Sequence, residues 1–244
     1  MRPWPYPRWI AHRGAGTLAP ENTLAAFRLG AQHGYRMFEC DAKLSADGEV
    51  FLMHDERLER TTSGHGVGGD LTWHALSELD AGGWHSAEYA GEPLPRLEAI
   101  ARFCLANGHK LNIEIKPTTG TERCTGEAVA QLAARLWAHE SVPPLLSSFQ
   151  AEALAGAKAM APDVPRGLLL GSLSEGWLEQ ARSLGCVAVI CDYALWDAET
   201  LMRVLDAGMR ALAYTVNEPE EAETLAALGI DGIITDRVDL LGPD

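Results

Sequence analysis

Seven polar residues stand at or near the ends of short apolar runs, where a folded chain can bring them together: His12, Arg13, Glu39, Asp41, His54, Glu114 and Lys116. In Phe38-Glu39-Cys40-Asp41 the two-residue repeat of a strand sends both carboxylates to one face. Two acids forced together there raise each other's pKa unless a cation lies between them. Leu111-Asn112-Ile113-Glu114-Ile115-Lys116 repeats the spacing, with Glu114 and Lys116 on one face and Leu111, Ile113 and Ile115 on the other. Glu114 thus completes a set of three oxygen donors, which suits a hard divalent cation, Mg2+ or Ca2+. His12 and His54 each follow an apolar run. Two imidazoles titrating near neutrality can take a proton from a nucleophile and give one to a leaving alkoxide, as phosphodiester cleavage requires. Arg13 beside His12 and Lys116 beside Glu114 supply positive charge, and Gly14 and Gly16 are expected to leave the turn after His12 open to a ligand.

These residues need elements that point them to a common place. Strands are expected over 9–12, 37–43, 50–54, 111–116, 144–149, 166–170, 186–191, 209–214 and 230–235, and helices over 22–33, 72–79, 96–106, 126–138, 151–160, 195–207 and 218–228. Gly185, Gly208 and Gly229 each follow a helix-like segment and precede an apolar run, as helix C-terminal glycines do. About eight strands, alternating with helices over 244 residues, are what a TIM (β/α)8 barrel requires. A doubly wound open sheet has the same periodicity, although no G-x-G-x-x-G follows the first strand. In a barrel, chemistry sits at the C-terminal ends of the strands, where the polar residues fall. Residues 55–94 break the alternation and read as an insertion over one end of a single domain spanning 1–244, without an apolar core of its own. Its aromatics Trp73, Trp84 and Tyr89 are expected to pack it down.

Composition removes several classes of function. The chain is 47% hydrophobic and 22% charged, enough to bury a sizeable core. With 20 Lys and Arg against 34 Asp and Glu, its formal charge is −14, which argues against nucleic acid or anionic membrane as a partner. No apolar stretch approaches the roughly 20 residues of a membrane span, so no stable membrane insertion is expected. Three prolines within residues 1–8 interrupt any secretory signal, so a cytoplasmic location is the default expectation. Five cysteines with no C-x-x-C pair read as reduced thiols.

In order, His12-Arg13-Gly14, Pro20-Glu21-Asn22-Thr23, Glu39-x-Asp41, His54-Asp55, Glu114-x-Lys116, Thr215-Val216-Asn217 and Gly232-Ile233-Ile234-Thr235-Asp236 resemble the motifs of the glycerophosphodiester phosphodiesterase family. The resemblance implies a TIM barrel with an insertion after the second strand unit. It also implies a divalent cation, and hydrolysis of a small glycerophosphodiester, such as glycerophosphocholine or glycerophosphoethanolamine, to glycerol 3-phosphate and an alcohol. Carried over by motif, the metal ligands are Glu39, Asp41 and Glu114, the acid–base pair His12 and His54, and the phosphate contacts Arg13 and Lys116. Glu21 is implied in a supporting role near the metal. Tyr214 stands where the family often has tryptophan, and so lines the pocket while adding a hydroxyl. Two rival readings use the same residues. A metal-dependent barrel lyase or aldolase would leave the histidine pair without a task, and a non-catalytic module binding a phosphorylated ligand would need neither histidine.

Overall fold

The computed structural model describes residues 4–243; of the proline-rich start, residues 1–3 lie outside them. The strands are β1 (Trp9–Ala11), β2 (Met37–Leu44), β3 (Val50–Leu52), β4 (Lys110–Ile115), β5 (Leu145–Ser148), β6 (Arg166–Leu170), β7 (Ala188–Asp192), β8 (Arg210–Tyr214) and β9 (Gly232–Thr235). The helices are α1 (Leu24–Gln32), α2 (Trp73–Ser77), α3 (Leu97–Ala106), α4 (Glu122–Leu136), α5 (Ala151–Met160), α6 (Trp177–Ser183), α7 (Ala198–Asp206) and α8 (Pro219–Leu228). β1 pairs with both β9 and β2, which closes the ring, and every pairing around it is parallel. The architecture is a TIM barrel, not the open doubly wound sheet.

Side-chain alternation divides each strand between two layers. Ile10, Met37, Leu145, Leu169, Ile190, Leu212 and Ile234 fill the barrel interior. Their strand neighbours, among them Ala11, Phe38, Leu111, Ile113, Val189 and Ile233, face the surrounding helices. Because Met37 points inward, the period of two also sends Glu39, Asp41 and Lys43 inward. Gly185, Gly208 and Gly229 all have left-handed φ, at 68°, 77° and 103°, as expected of helix ends. Helix α6, which starts directly after Gly176, is too short for its apolar spacing to mark its bounds in the sequence.

The run at 50–54 is not a barrel strand. β3 lies antiparallel on the far end of β2, pairing Ala42 with Leu52 and Leu44 with Val50. Only residues 45–49 join the two strands, a hairpin length that cannot make the crossover a parallel pair needs. The insertion also departs from expectation, since it holds a small apolar cluster: Leu58, Leu76, Ala81 and Leu94 pack on Phe51 and Met53. Turns separate these residues in sequence, so no periodicity announced them. Trp73 joins this cluster and Tyr89 packs on the main core, whereas Trp84 is exposed. The five cysteines are free thiols, four of them buried. No helix among the described residues is long and apolar enough to cross a membrane.

Candidate active site

The C-terminal rim of the barrel gathers all seven residues. Glu39, Asp41 and Glu114 are buried, and one carboxylate oxygen from each lies within 4.8 Å of the others. Register explains the meeting: β2 and β4 are neighbours, and Asp41 pairs with Glu114. At an effective dielectric constant of about 20, two unit charges 4.8 Å apart repel by about 3 kcal/mol, so three need compensation. Some comes from Arg13, whose Nε lies 3.3 Å from Asp41, and from Lys116, whose Nζ lies 2.9 Å from Glu114 and 3.6 Å from Asp41. It is incomplete. Burial, with the charge of Asp41 added, pushes Glu39 up to about 8 and also raises Glu114. At Asp41 burial is outweighed by Arg13, Lys116, His54 and a hydrogen bond from Asn22, and its pKa falls to about 2. Glu39 Oε1 and Asp41 Oδ1 are buried with no hydrogen-bond partner among the described residues. Orphaned buried carboxylate oxygens in a set of three fit the donors of a hard divalent cation.

The loop after β1 is bent to serve this cluster. Arg13 and Asn22 are the non-glycine residues with positive φ among those described, at 52° and 60°. The turn aims the Arg13 main-chain N–H at Glu39 Oε2, 3.1 Å away. Asn22 donates its amide to Asp41 Oδ2 at 2.8 Å and accepts the Asp41 main-chain N–H at 3.0 Å. Strain at such residues persists only where surrounding bonds hold it. Gly14 and Gly16 are not open to a ligand: a Cβ on Gly16 would lie 2.0 Å from the Asp236 carbonyl oxygen, and one on Gly14 2.7 Å from Ala26 Cβ. Protein backbone and helix α1 fill the space that the small residues leave.

His12 extends from the end of β1, its Nδ1 2.6 Å from Asp236 Oδ1 and its Nε2 3.8 Å from Glu39 Oε2. Arg13 Nε donates to His12 Nε2 at 3.2 Å, which leaves the ring proton on Nδ1, shared with Asp236. Burial would lower the His12 pKa, but the Asp236 hydrogen bond and the charge of Glu39 outweigh it, and the net shift is upward. His54 reaches the same rim by a different route. The hairpin carries β3 back down beside β2, so that the Met53 N–H bonds the Asp41 carbonyl at 3.0 Å and His54 follows at the rim. Its Nδ1 lies 2.7 Å from Asp55 Oδ1, and burial moves its pKa downward.

Several contributors escaped the sequence. Asp236 and Asn22 stood in motifs without an assigned task, and Asn217 holds Asp236 through its main-chain N–H at 2.9 Å and its carboxylate at 3.3 Å. Arg60, from the insertion, joins Glu21 to Asp55. Glu21 pairs with Arg13 and Arg60. Phe149, at the end of β5, stands edge-on to Tyr214 at 5.7 Å with Lys116 Nζ over its ring. Two cavities flank the carboxylates. A recess of about 20 Å³ is lined by His12, Glu39, Asn112, Leu169 and Tyr214, and a cavity of about 320 Å³ by Lys43, His54, Glu56 and Gln150, with Glu114 and Phe149 shared by both. The Tyr214 hydroxyl donates to the Leu170 carbonyl at 3.1 Å, so its oxygen is already engaged. Trp84 lines neither cavity.

The chain is similar to known proteins. Residues 12–240 match the glycerophosphoryl diester phosphodiesterase family. A glycerophosphodiester phosphodiesterase of Caldanaerobacter subterraneus is 32% identical over 233 residues, covering 95% of each chain. The structure of an Oleispira antarctica phosphodiesterase in complex with the product sn-glycerol-3-phosphate superposes with a TM-score of 0.88 at 34% identity, over 95% of this chain and 93% of that one. An Agrobacterium tumefaciens glycerophosphodiester phosphodiesterase does so with a TM-score of 0.82 at 29% identity, over 96% and 97%. With a closed barrel, an acidic trio at its rim and a match spanning nearly its whole length, the chain belongs to the glycerophosphoryl diester phosphodiesterase family.

Proposed function

We propose that the protein hydrolyses glycerophosphodiesters to glycerol 3-phosphate and an alcohol, with His12 and His54 moving the protons. The observation that carries this reading is the placement of the two imidazoles. Each is held at Nδ1 by its own carboxylate, at 2.6 and 2.7 Å, and each lines a different cavity beside the shared Glu114. Glu39, Asp41 and Glu114 would hold the divalent cation, Mg2+ or Ca2+, which supplies Lewis-acid stabilisation of charge on the phosphoryl oxygens. Arg13 and Lys116, already at the carboxylates, bind the phosphate and offset its developing charge. Glu21 supports them by orienting Arg13.

The roles of the histidines differ. His12 Nε2 accepts the Arg13 Nε–H and is therefore unprotonated, the state a base needs once Arg13 turns to the phosphate. It takes the proton of the attacking hydroxyl, a water or the glycerol 2-hydroxyl, beside a recess about the size of one water. In an in-line displacement the departing alcohol leaves on the opposite side, where His54 lines the larger cavity and protonates it. With water as the nucleophile one P–O bond forms, one breaks, and glycerol 3-phosphate results directly. With the glycerol 2-hydroxyl the same exchange gives a cyclic phosphate. A water activated in turn then adds to phosphorus as the P–O2 bond of the ring breaks, its proton passing to the released 2-hydroxyl. Tyr214 gives the recess an aromatic wall through its ring. The substrate is a small molecule.

The test is a coupled assay for glycerol 3-phosphate release from glycerophosphocholine and glycerophosphoglycerol, with and without EDTA. Release that EDTA abolishes and the cation restores supports the reading, and no release from either diester overturns it.

A further inference from the structure

Lys43 is 1% exposed, and nothing in the proton transfers or the phosphate site uses it. It shares the inward face of β2 with Glu39 and Asp41, one step nearer the mouth. Its Nζ donates one hydrogen bond, to the Lys116 main-chain carbonyl at 3.0 Å. An ammonium has three donors, so two remain, and Lys43 borders the 320 Å³ cavity. No carboxylate lies within ion-pair distance of it among the described residues. A buried ammonium with no paired acid is costly, and an acceptor for its free N–H groups offsets that cost.

The rest of the cavity wall says what that something is. Asp55 is occupied by His54 and Arg60, and Glu114 by Lys116. The acid left over, Glu56, stands at the exposed edge, 3.4 Å from the Thr119 hydroxyl. Phe149 is the aromatic residue lining the cavity, and Lys116 Nζ already stands over its ring at 5.7 Å. A quaternary ammonium needs aromatic faces or free acids; here the one phenyl ring is shared with Lys116, the uncommitted acid stands at the exposed edge, and two ammonium groups share the wall.

We propose that Lys43 is a specificity-determining residue that selects polyhydroxylated leaving alcohols, such as glycerol or inositol, over trimethylammonium alcohols. The inference rests on the phosphodiesterase reading and on the leaving alcohol occupying the His54 side. A hydrogen bond from a charged donor discriminates by about 10- to 100-fold.

The experiment compares kcat/KM for glycerophosphoglycerol, glycerophosphoinositol and glycerophosphocholine. Wild-type protein should favour the two polyol esters by at least about tenfold, and Lys43→Met should bring the ratio close to one, chiefly through KM. Calorimetric titration of glycerophosphoglycerol and glycerophosphocholine into His12→Ala protein with Mg2+ reads the same preference without turnover. Absence of turnover with intact discrimination in binding would sink the catalytic reading and leave Lys43 its role. Equal handling of choline and polyol esters by wild type, or a ratio unchanged in Lys43→Met, overturns the inference. Should Lys43→Met fail to fold, the titrations into His12→Ala protein, which keeps Lys43, decide: polyol ester binding no tighter than choline ester binding overturns it.

Discussion

Arg60 and Glu21, 39 residues apart in sequence, meet in a two-pronged ion pair, with Nη1 and Nη2 each 2.8 Å from a carboxylate oxygen. The same guanidinium grips Asp55 at 2.6 and 2.9 Å, and Asp55 in turn holds His54. Since Glu21 also binds Arg13, one side chain of the insertion ties the β1 loop to the His54 segment.

That tie has a pH signature. Hydrogen bonds from Arg60 depress Asp55 below the usual carboxylate range. At Glu21 burial works the other way, but Arg60 and Arg13 outweigh it and the pKa is lowered. A carboxylate depressed in the folded state stabilises above its unfolded pKa, about 4, and that contribution is lost as pH falls through the folded value. Urea unfolding in EDTA should therefore show wild type most superior to Arg60→Met near neutral pH, with the gap closing below about pH 4. A gap that stays constant with pH would contradict the arrangement.

What the sequence disclosed and what it concealed divide along a physical line. Glu39, Asp41 and Glu114 were legible because strand alternation is local, and parallel neighbours then bring two strands' faces together. The fold was legible for the same reason, in alternating apolar runs and helix-ending glycines. His54 was placed at the right rim for an incomplete reason, since a five-residue turn, not a barrel strand, delivers it. Asp236 lies 224 residues from His12, and Arg60 reaches Glu21 across a loop without periodicity. Contacts of that kind depend on closure of the ring, which no window of sequence contains.

Replacing either histidine should remove most turnover without unfolding the barrel. A positioned acid or base contributes about 10² to 10⁴ in rate, so His12→Ala and His54→Ala should each lose at least about 100-fold in kcat. Both rings are partly exposed at the rim and neither belongs to the core clusters, so far-UV circular dichroism should match wild type. Retention of more than about a tenth of the activity by either variant contradicts the proton-transfer roles.

Asp236 is expected to matter through the tautomer of His12. As a carboxylate it accepts the Nδ1 proton, which keeps Nε2 unprotonated. Asp236→Asn preserves shape, but its amide can donate to Nδ1 and place the proton on Nε2. The asparagine variant should therefore be at least as impaired as Asp236→Ala, by about 10² to 10⁴ in kcat. An asparagine variant near wild-type activity would show that Asp236 only fills space.

The carboxylate cluster makes a prediction with two opposed signs. Without a cation, Glu39 is a buried acid beside Asp41 and Glu114 that burial and like charge penalise. Glu39→Gln removes that penalty while keeping the shape and an acceptor for the Arg13 N–H. In EDTA the variant should melt no lower than wild type. Added Mg2+ or Ca2+ binds the folded state and stabilises by mass action, about 2.7 kcal/mol at one hundred times Kd, so the wild-type Tm should climb with concentration. The variant should respond weakly, because it has lost one of three charged ligands. Thermal scans across a cation titration thus produce curves that cross, with the variant ahead in chelator and behind in saturating cation. If both proteins climb equally, the ion is held elsewhere, and the trio at the rim is not its site.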